Sequence, residues 1–172
     1  MTYVVRRIGP SEWRELRAIR LEALLDSPLA FSASHADTAA LADEWWQRQA
    51  AEGATSATLA TFVAADEGGR WVGLASSAPL DEVPGTAHIH GVYLAPAHRG
   101  RRTGLAARLM QVGIAWARDH TNSACLTLGV HQDNGRAHAF YRRLGFQETG
   151  KVVPYALDPS QKIHIMGFAS FR

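Results

Sequence analysis

Residues 92–108 read VYLAPAHRGRRTGLAAR, and this segment decides the fold. An apolar strand ends at Pro96, a short turn rich in arginine and glycine follows, and an amphipathic helix begins after Gly104. The first backbone N–H groups of a helix have no partner within the helix, and the helix dipole adds partial positive charge there. A strand that leads through such a turn into a helix is therefore typical of a site for an anion such as a pyrophosphate.

The composition of the turn supports this interpretation. Gly100 and Gly104 have no Cβ, so a ligand can approach the backbone closely. Three arginines in the turn add fixed positive charge that suits phosphate oxygens. We call residues 99–105 the cradle, and its candidate ligand contacts are Arg99, Gly100, Arg101, Arg102, Thr103, Gly104 and Leu105.

The whole chain has the composition of a globular protein and not of a polyanion-binding one. Its 172 residues are 47% hydrophobic and 20% charged, which favours one domain over residues 1–172. The single cysteine excludes an intrachain disulfide, and neither a signal peptide nor an apolar run long enough to span a membrane is evident. We therefore expect a cytoplasmic location and no membrane partner. The net charge is only +2, and the arginines cluster locally, which favours a small anionic ligand over nucleic acid.

Hydrophobic periodicity predicts a mixed α/β fold around the cradle. Upstream, it predicts a short strand at 3–8, a helix that ends at Pro28, a loop anchored by Phe31, a helix over 39–51 that carries two tryptophans, and strands at 58–65, 70–77 and 86–94. Downstream, it predicts a helix that ends near 120, a strand at 125–130 in which Cys125 is buried, a helix over 135–144, and strands at 146–153 and 162–168 joined by a loop over 154–161.

Two motifs resemble those of the GNAT superfamily of acyl-CoA-dependent N-acetyltransferases, over roughly residues 58–150. The cradle matches the family's cofactor signature, and a second pattern follows one helix and one strand later: Asn134, Ala137, Phe140-Tyr141 and Leu144-Gly145-Phe146. One position departs from the signature, because Arg102 stands where the family has a glycine. We expect right-handed backbone geometry there, which an arginine adopts without strain.

The resemblance implies a fold and a co-substrate. The fold is a central mixed, mostly antiparallel sheet of about seven strands, splayed in the middle and flanked by about four helices. The co-substrate is acetyl-CoA, whose pantetheine arm would bind the splayed strand at Val92, Tyr93 and Leu94, with further contacts from Asn134, Ala137 and Tyr141. Signatures of dinucleotide and nucleoside-triphosphate enzymes are absent from the sequence.

Acetyl transfer to an amine also needs a general acid and a general base. Tyr141 is the candidate acid, because a neutral phenol can protonate a thiolate leaving group, while Phe140 is expected to pack. His88 stands where many members of the family have a glutamate, and His90 shares its strand face, so either is a candidate base. A core role for the tyrosine, a structural role for the histidines and a metal site remain alternatives, although no third metal ligand is evident and we expect no metal.

The acceptor cannot be named from the sequence, but its pocket is expected at Phe31, Trp45, Trp46 and His88. Two core tryptophans are an equal alternative. A small-molecule amine is the favoured acceptor, and a homodimer is possible. Two other functions stay open: a non-catalytic acyl-CoA-binding sensor or partner protein, and an acetyltransferase for protein N-termini or lysines.

Overall fold

One seven-stranded sheet forms the centre of the protein. A computed structural model describes residues 2–100 and 102–172, and the strands lie in the order β1-β2-β3-β4-β5-β7-β6, antiparallel except for the β4–β5 pair. The strands are β1 Val4–Arg7, β2 Ala60–Ala65, β3 Trp71–Pro79, β4 Thr86–Leu94, β5 Cys125–His131, β6 Phe146–Tyr155 and β7 Asp158–Phe168. The helices are α1 Trp13–Asp26, α2 His35–Ala39, α3 Asp43–Thr55, α4 Leu105–His120 and α5 Gly135–Leu144, with 3₁₀ turns at Pro28–Ala30 and Pro96–His98.

The helices cover both faces of the sheet. On one face, α1 and α3 pack on the core through residues such as Ile19 and Trp46. On the other face, the Ser77 hydroxyl donates a hydrogen bond of 3.1 Å to the Gly113 carbonyl of α4. The α5 residue Tyr141 belongs to the same apolar cluster as α4, and its ring lies 5.9 Å from that of Phe146. Any site within the sheet is therefore enclosed by α1 and α3 on one side and by α4 and α5 on the other.

The sheet opens between its two parallel strands. β4 and β5 are paired at only three positions, and the pairing ends at His88 and Thr127. Both strands continue beyond that point, β4 to Leu94 and β5 to His131. The expected splay in the middle of the sheet is confirmed, and the expected mixed, mostly antiparallel fold with it.

A bulge in β4 accompanies the opening. Tyr93 lies opposite Leu74 and His90 lies opposite Ser76, so two residues of β4 stand against one residue of β3. Gly91 is the first of the two and has φ +63°, a left-handed conformation that glycine adopts at low cost. Because a bulge bends and twists its strand, it helps β4 to turn away from β5.

Two predictions about element boundaries need correction. The helix predicted over 39–51 is α3, which begins only at Asp43, where Asp43 and Glu44 favour a helix start, and a further short helix, α2, precedes it and is capped by the Ser34 hydroxyl. The loop predicted over 154–161 is a tight turn at 156–157. Pro154 does not prevent pairing, since β6 is the edge strand and a proline there needs no N–H partner.

The prediction that Cys125 is buried is also wrong. This residue is exposed at the start of β5, on the side of the strand opposite Leu126, Leu128 and Val130, which are buried. Successive side chains of a strand point to opposite faces, so Cys125 is exposed although its neighbour Leu126 is buried.

None of the described helices is long and apolar enough to cross a membrane.

The contact between α3 and β2 gives a stability prediction. A Cβ on Gly53 would lie 2.6 Å from Thr61 Oγ1, which is too close for any real contact. We expect Gly53→Ala to lower the free energy of unfolding by about 1–3 kcal/mol through overpacking. Gly135→Ala is the control, since a Cβ there meets nothing within 4 Å. Urea unfolding of both variants tests this, and equal midpoints would contradict it.

Candidate active site

A cavity of about 260 Å³ occupies the opening between β4 and β5. Residues 88–92 of β4 form one wall and residues 128–131 of β5 form the other. α5, the segment 29–32 and the β6–β7 hairpin complete the lining. The cavity therefore lies where the sheet itself is open, between the two helical layers.

Three residues predicted to contact the cofactor share the face of α5 that lines the cavity: Asn134, Ala137 and Tyr141. The Asn134 side chain caps the helix by accepting a hydrogen bond of 3.2 Å from the Ala137 N–H. Residues spaced in this way lie above one another on a helix. The second sequence motif thus presents one continuous edge to the cavity.

Tyr141 is a buried phenol that faces this space. Within residues 2–100 and 102–172, no group hydrogen-bonds its hydroxyl. Burial raises the pKa of Tyr141. The phenol therefore stays protonated across the neutral range, with its hydroxyl available to a ligand in the cavity.

His88 and His90 line the cavity from β4, on the face of the sheet that carries α1. The His88 Nδ1 is 2.9 Å from Thr127 Oγ1, at the last paired position of β4 and β5. Burial lowers the pKa of His88. His90 is open to solvent through the cavity yet lies deep in the cleft, where burial and then the charges of Arg20 and His88 lower its pKa to about 4. Both imidazoles are therefore neutral at pH 7 and able to accept a proton.

The cradle combines two left-handed glycines with the N-terminus of α4. Gly100 has φ +122° and Gly104, the N-cap residue of α4, has φ +59°, and a Cβ on either would meet nothing within 4 Å. Gly104 has no side chain to cap α4, and among the described residues the Leu105 N–H donates a long hydrogen bond of 3.4 Å to Thr103 Oγ1. Arg102 is exposed in the turn before α4, and its right-handed backbone geometry stays a prediction. Arg101, which was also predicted to bind the cofactor, lies outside the described residues.

The side chain of Arg99 turns away from the helix end. Its Nε donates a hydrogen bond of 2.6 Å to the Leu94 carbonyl, and its Nη2 forms an ion pair with Asp26 at the end of α1. Burial opposes ionisation of Asp26, but hydrogen bonds from Ser27 and Arg99 hold the pKa of its carboxyl below the usual value. The structure therefore gives Arg99 a role in holding the cradle against α1.

The three β4 residues predicted to bind the pantetheine arm have different surroundings. Val92 lines the cavity. Tyr93 is buried, and its hydroxyl donates a hydrogen bond of 3.1 Å to Glu22 of α1. Leu94 is buried at the end of the strand, where its carbonyl is engaged by Arg99.

Of the residues predicted for the acceptor pocket, Phe31 and His88 line the cavity. Both tryptophans lie on α3 and pack into the core that α3 shares with α1. Trp46 is fully buried, and the Trp45 ring packs edge-on against it at a centroid distance of 4.8 Å. The structure does not bring the tryptophans to the cavity.

His131 and Tyr155 are among the cavity residues that sequence reasoning missed. The His131 Nδ1 accepts a hydrogen bond of 3.1 Å from the Asp133 N–H, so its Nε2 donates to Gln161 Oε1 at 2.6 Å. The Tyr155 hydroxyl donates a bond of 2.9 Å to the Phe31 carbonyl, which ties the hairpin to the segment beside the cavity. Among the described residues, no group of three or more His, Cys, Asp or Glu side chains is placed to hold a metal ion.

His90 gives a prediction about acid stability. A histidine whose pKa falls from 6.5 to about 4 on folding binds fewer protons in the native state. Acidification therefore destabilises the fold between these two values, and the effect is absent above the upper one. We expect His90→Gln to lose less of its free energy of unfolding than the wild type between about pH 7 and about pH 5.

Urea unfolding at the two pH values measures this difference. His35→Gln, on α2 and outside the cavity lining, is the control and should follow the wild type. An identical loss in His90→Gln and the wild type would contradict the prediction.

Comparison with known proteins supports the motif analysis. The model of the acetyltransferase (GNAT) family matches residues 15–146. Aminoglycoside N(6')-acetyltransferase type 1 of Acinetobacter haemolyticus is 38% identical over 68 residues, 40% of this chain and 45% of the relative. Mycothiol acetyltransferase of Salinispora tropica is 31% identical over 144 residues, 81% of this chain and 43% of the relative.

The chain thus spans less than half the length of either of these relatives. A GNAT-family acetyltransferase from Streptococcus pneumoniae has the same fold, with a TM-score of 0.79 and 20% identity, over 96% of this chain and 98% of that one. The family match covers most of the chain and includes both the cradle and the Asn134–Tyr141 motif, and on this evidence the protein belongs to the GNAT acetyltransferase family.

Proposed function

We propose that this protein is an N-acetyltransferase that transfers an acetyl group from acetyl-CoA to the amine of a small molecule. The observation that carries the proposal is the opening between β4 and β5. It places Tyr141, from the α4 and α5 side, and His88 and His90, from the α1 side, around one cavity. Two substrates entering from opposite faces of the sheet would meet there.

The shape and chemistry of the opening fit coenzyme A. Beyond His88, the edges of β4 and β5 that face each other are no longer paired, so they can bind the amide groups of the pantetheine arm. The cradle follows directly on the end of β4, and its helix N-terminus suits the pyrophosphate. When bound, acetyl-CoA supplies an activated thioester.

The residues around the cavity then have separate tasks. In this proposal, a backbone N–H of β4 near Val92 or Leu94 donates to the thioester oxygen as negative charge develops on it. His88 or His90, both neutral at pH 7, accepts the proton that the attacking ammonium must lose. Tyr141 donates its phenolic proton to the departing thiolate. Direct attack within a ternary complex needs no acyl-cysteine, and Cys125 is not among the residues that line the cavity.

The test is to incubate the protein with acetyl-CoA and a panel of small amines and to follow the release of free thiol. Release that depends on the amine, with acetylated product identified by mass spectrometry, supports the proposal. Acetyl-CoA binding without turnover on any small amine, N-terminal peptide or lysine peptide would favour a sensor instead. Turnover on peptides alone would replace the small-molecule acceptor with a protein.

The assignment of the base gives a separate prediction. A double variant, His88→Asn with His90→Asn, removes both candidates while leaving polar side chains in place. We expect kcat to fall by about 10²–10³-fold at neutral pH, and the acid limb of the pH–rate profile to change. The single variants identify which histidine carries the effect. A double variant with the wild-type profile would exclude both residues as the base.

A further inference from the structure

Arg20 brings to the cavity wall a positive charge that no acidic side chain among residues 2–100 and 102–172 neutralises. It lies on α1 between Ile19 and Ala23, two core residues, and is itself partly buried. Its guanidinium forms no hydrogen bond or ion pair with any residue that the structure describes. Burial lowers the pKa of Arg20. A partly buried cation that has no anionic partner among the described residues suggests that it serves a ligand.

The guanidinium lies against three residues that line the cavity. A Cβ on Gly91 would be 3.3 Å from Arg20 Nη2, so the side chain lies directly over the β4 bulge. The Phe31 ring centroid is 5.5 Å from Arg20 Cζ. His90 is close enough for the charge of Arg20 to lower its pKa. Arg20 therefore stands at the α1 side of the cavity, next to the candidate base.

The carboxylates nearest in sequence are engaged elsewhere. Glu22 accepts a hydrogen bond from Tyr93 and forms an ion pair of 3.5 Å with Arg70. Asp26 is paired with Arg99 of the cradle. These contacts fix α1 against β4 and the cradle, so they hold Arg20 in place without neutralising it.

The anion that Arg20 would meet does not belong to coenzyme A. The pantetheine arm is uncharged, and the cradle is the site that suits the phosphates. A guanidinium fork matches a carboxylate with two parallel hydrogen bonds, and the apolar Phe31, Val130 and Ile163 in the cavity lining suit a hydrocarbon side chain. We propose that Arg20 binds the carboxylate of the acceptor, so that the acceptors are small amines with a carboxylate group, of which amino acids are the simplest. This inference rests on the proposed acetyl transfer and names its substrate class.

The experiment compares the common L-amino acids with their uncharged amides. The amine of an amino acid amide loses its proton more easily than the amine of the free acid. This difference alone would make the amide the better acceptor, so it works against the expected result. We expect the wild type to prefer the acids in kcat/KM by about 10- to 100-fold. Arg20→Gln should abolish this preference through KM for the acceptor, with KM for acetyl-CoA unchanged. Arg20→Lys should retain part of it, and Arg14→Gln, an exposed site on the same helix, should retain all of it.

Binding without turnover separates this inference from the proposed activity. Calorimetric titration of acids and amides into the complex with coenzyme A reports the carboxylate site directly. Binding of an acid that depends on Arg20, with no acetyl transfer, would support the site and reject the activity. Wild-type protein that binds no acid, or binds acids and amides equally, would overturn the inference, as would an acid preference that survives in Arg20→Gln.

Thermal unfolding distinguishes a ligand-binding arginine from a structural one. Removal of a partly buried charge that has no ion-pair partner among the described residues should leave Tm of the free protein unchanged or raise it. A fall in Tm with an unchanged acid preference would assign Arg20 to the fold alone. Should Arg20→Gln fail to fold, Arg20→Leu and Arg20→Lys give the same comparison, without and with the charge.

Discussion

Tyr141→Phe is expected to lower kcat by about 10²–10⁴-fold while the affinity for acetyl-CoA changes little. The substitution removes one hydroxyl, and that hydroxyl has no partner within the described protein, so the packing of the ring on Phe146 is retained. What is lost is the proton that the departing thiolate would receive. Steady-state kinetics with saturating amine, followed by thiol release, measure the effect.

Tyr3→Phe is the matched control for this experiment. Tyr3 is also a buried tyrosine, but its hydroxyl lies 2.9 Å from His98 Nδ1 and does not face the cavity. The Tyr3→Phe variant should therefore keep kcat near the wild-type value. Ordinary turnover by Tyr141→Phe would remove Tyr141 from the mechanism, and a rise in KM for acetyl-CoA with unchanged kcat would make it a binding residue.

Gly104→Val is expected to weaken acetyl-CoA binding by about 10- to 100-fold. The backbone N–H groups at this helix start would donate charge-assisted hydrogen bonds to phosphate, each of about 1.5–3 kcal/mol, and the substitution would disturb them. The left-handed φ of +59° disfavours a β-branched residue, and the new side chain would stand where the pyrophosphate approaches. The expected change is in KM and Kd for acetyl-CoA, measured by kinetics and calorimetry.

Gly69→Val separates strain from ligand binding. Gly69 has φ +79° in the turn between β2 and β3, and a Cβ there also meets nothing within 4 Å. Both variants should lose a similar free energy of unfolding, of about 1–2 kcal/mol, but Gly69→Val should bind acetyl-CoA normally. Equal binding by the two variants would show that the cradle does not hold the pyrophosphate.

The geometry of the cradle and of the α5 face that lines the cavity could be predicted because each is encoded within a short stretch of sequence. Glycines, arginines and a helix start follow one another in the cradle, and Asn134, Ala137 and Tyr141 have helical spacing. Their chemistry depends on local backbone geometry, which the order of residue types largely determines.

Arg20, Tyr155 and the tryptophans could not be assigned in this way, since their roles depend on contacts distant in sequence. The sequence did carry a signal for Arg20, a charge on the buried stripe of α1 between Leu16 and Ala23, but not the fact that this stripe meets β4. Tyr155 reaches Phe31 only because the β6–β7 hairpin extends to its turn. Trp45 and Trp46 have a spacing that suits a core as well as a pocket, and only the packing of α3 under α1 decides between them.

The bulge at Gly91 also determines which side chains of β4 face α1. Upstream of it, even-numbered residues such as His90 point toward α1, as Ser76 does. Downstream, an odd-numbered residue, Tyr93, lies opposite Leu74 and points the same way. The extra residue thus keeps the histidines and the tyrosine that anchors α1 on one side of the sheet. Deleting a single residue at 91 would reverse the facing of one half of the strand relative to the other, so we expect β4 to tolerate no change in its length.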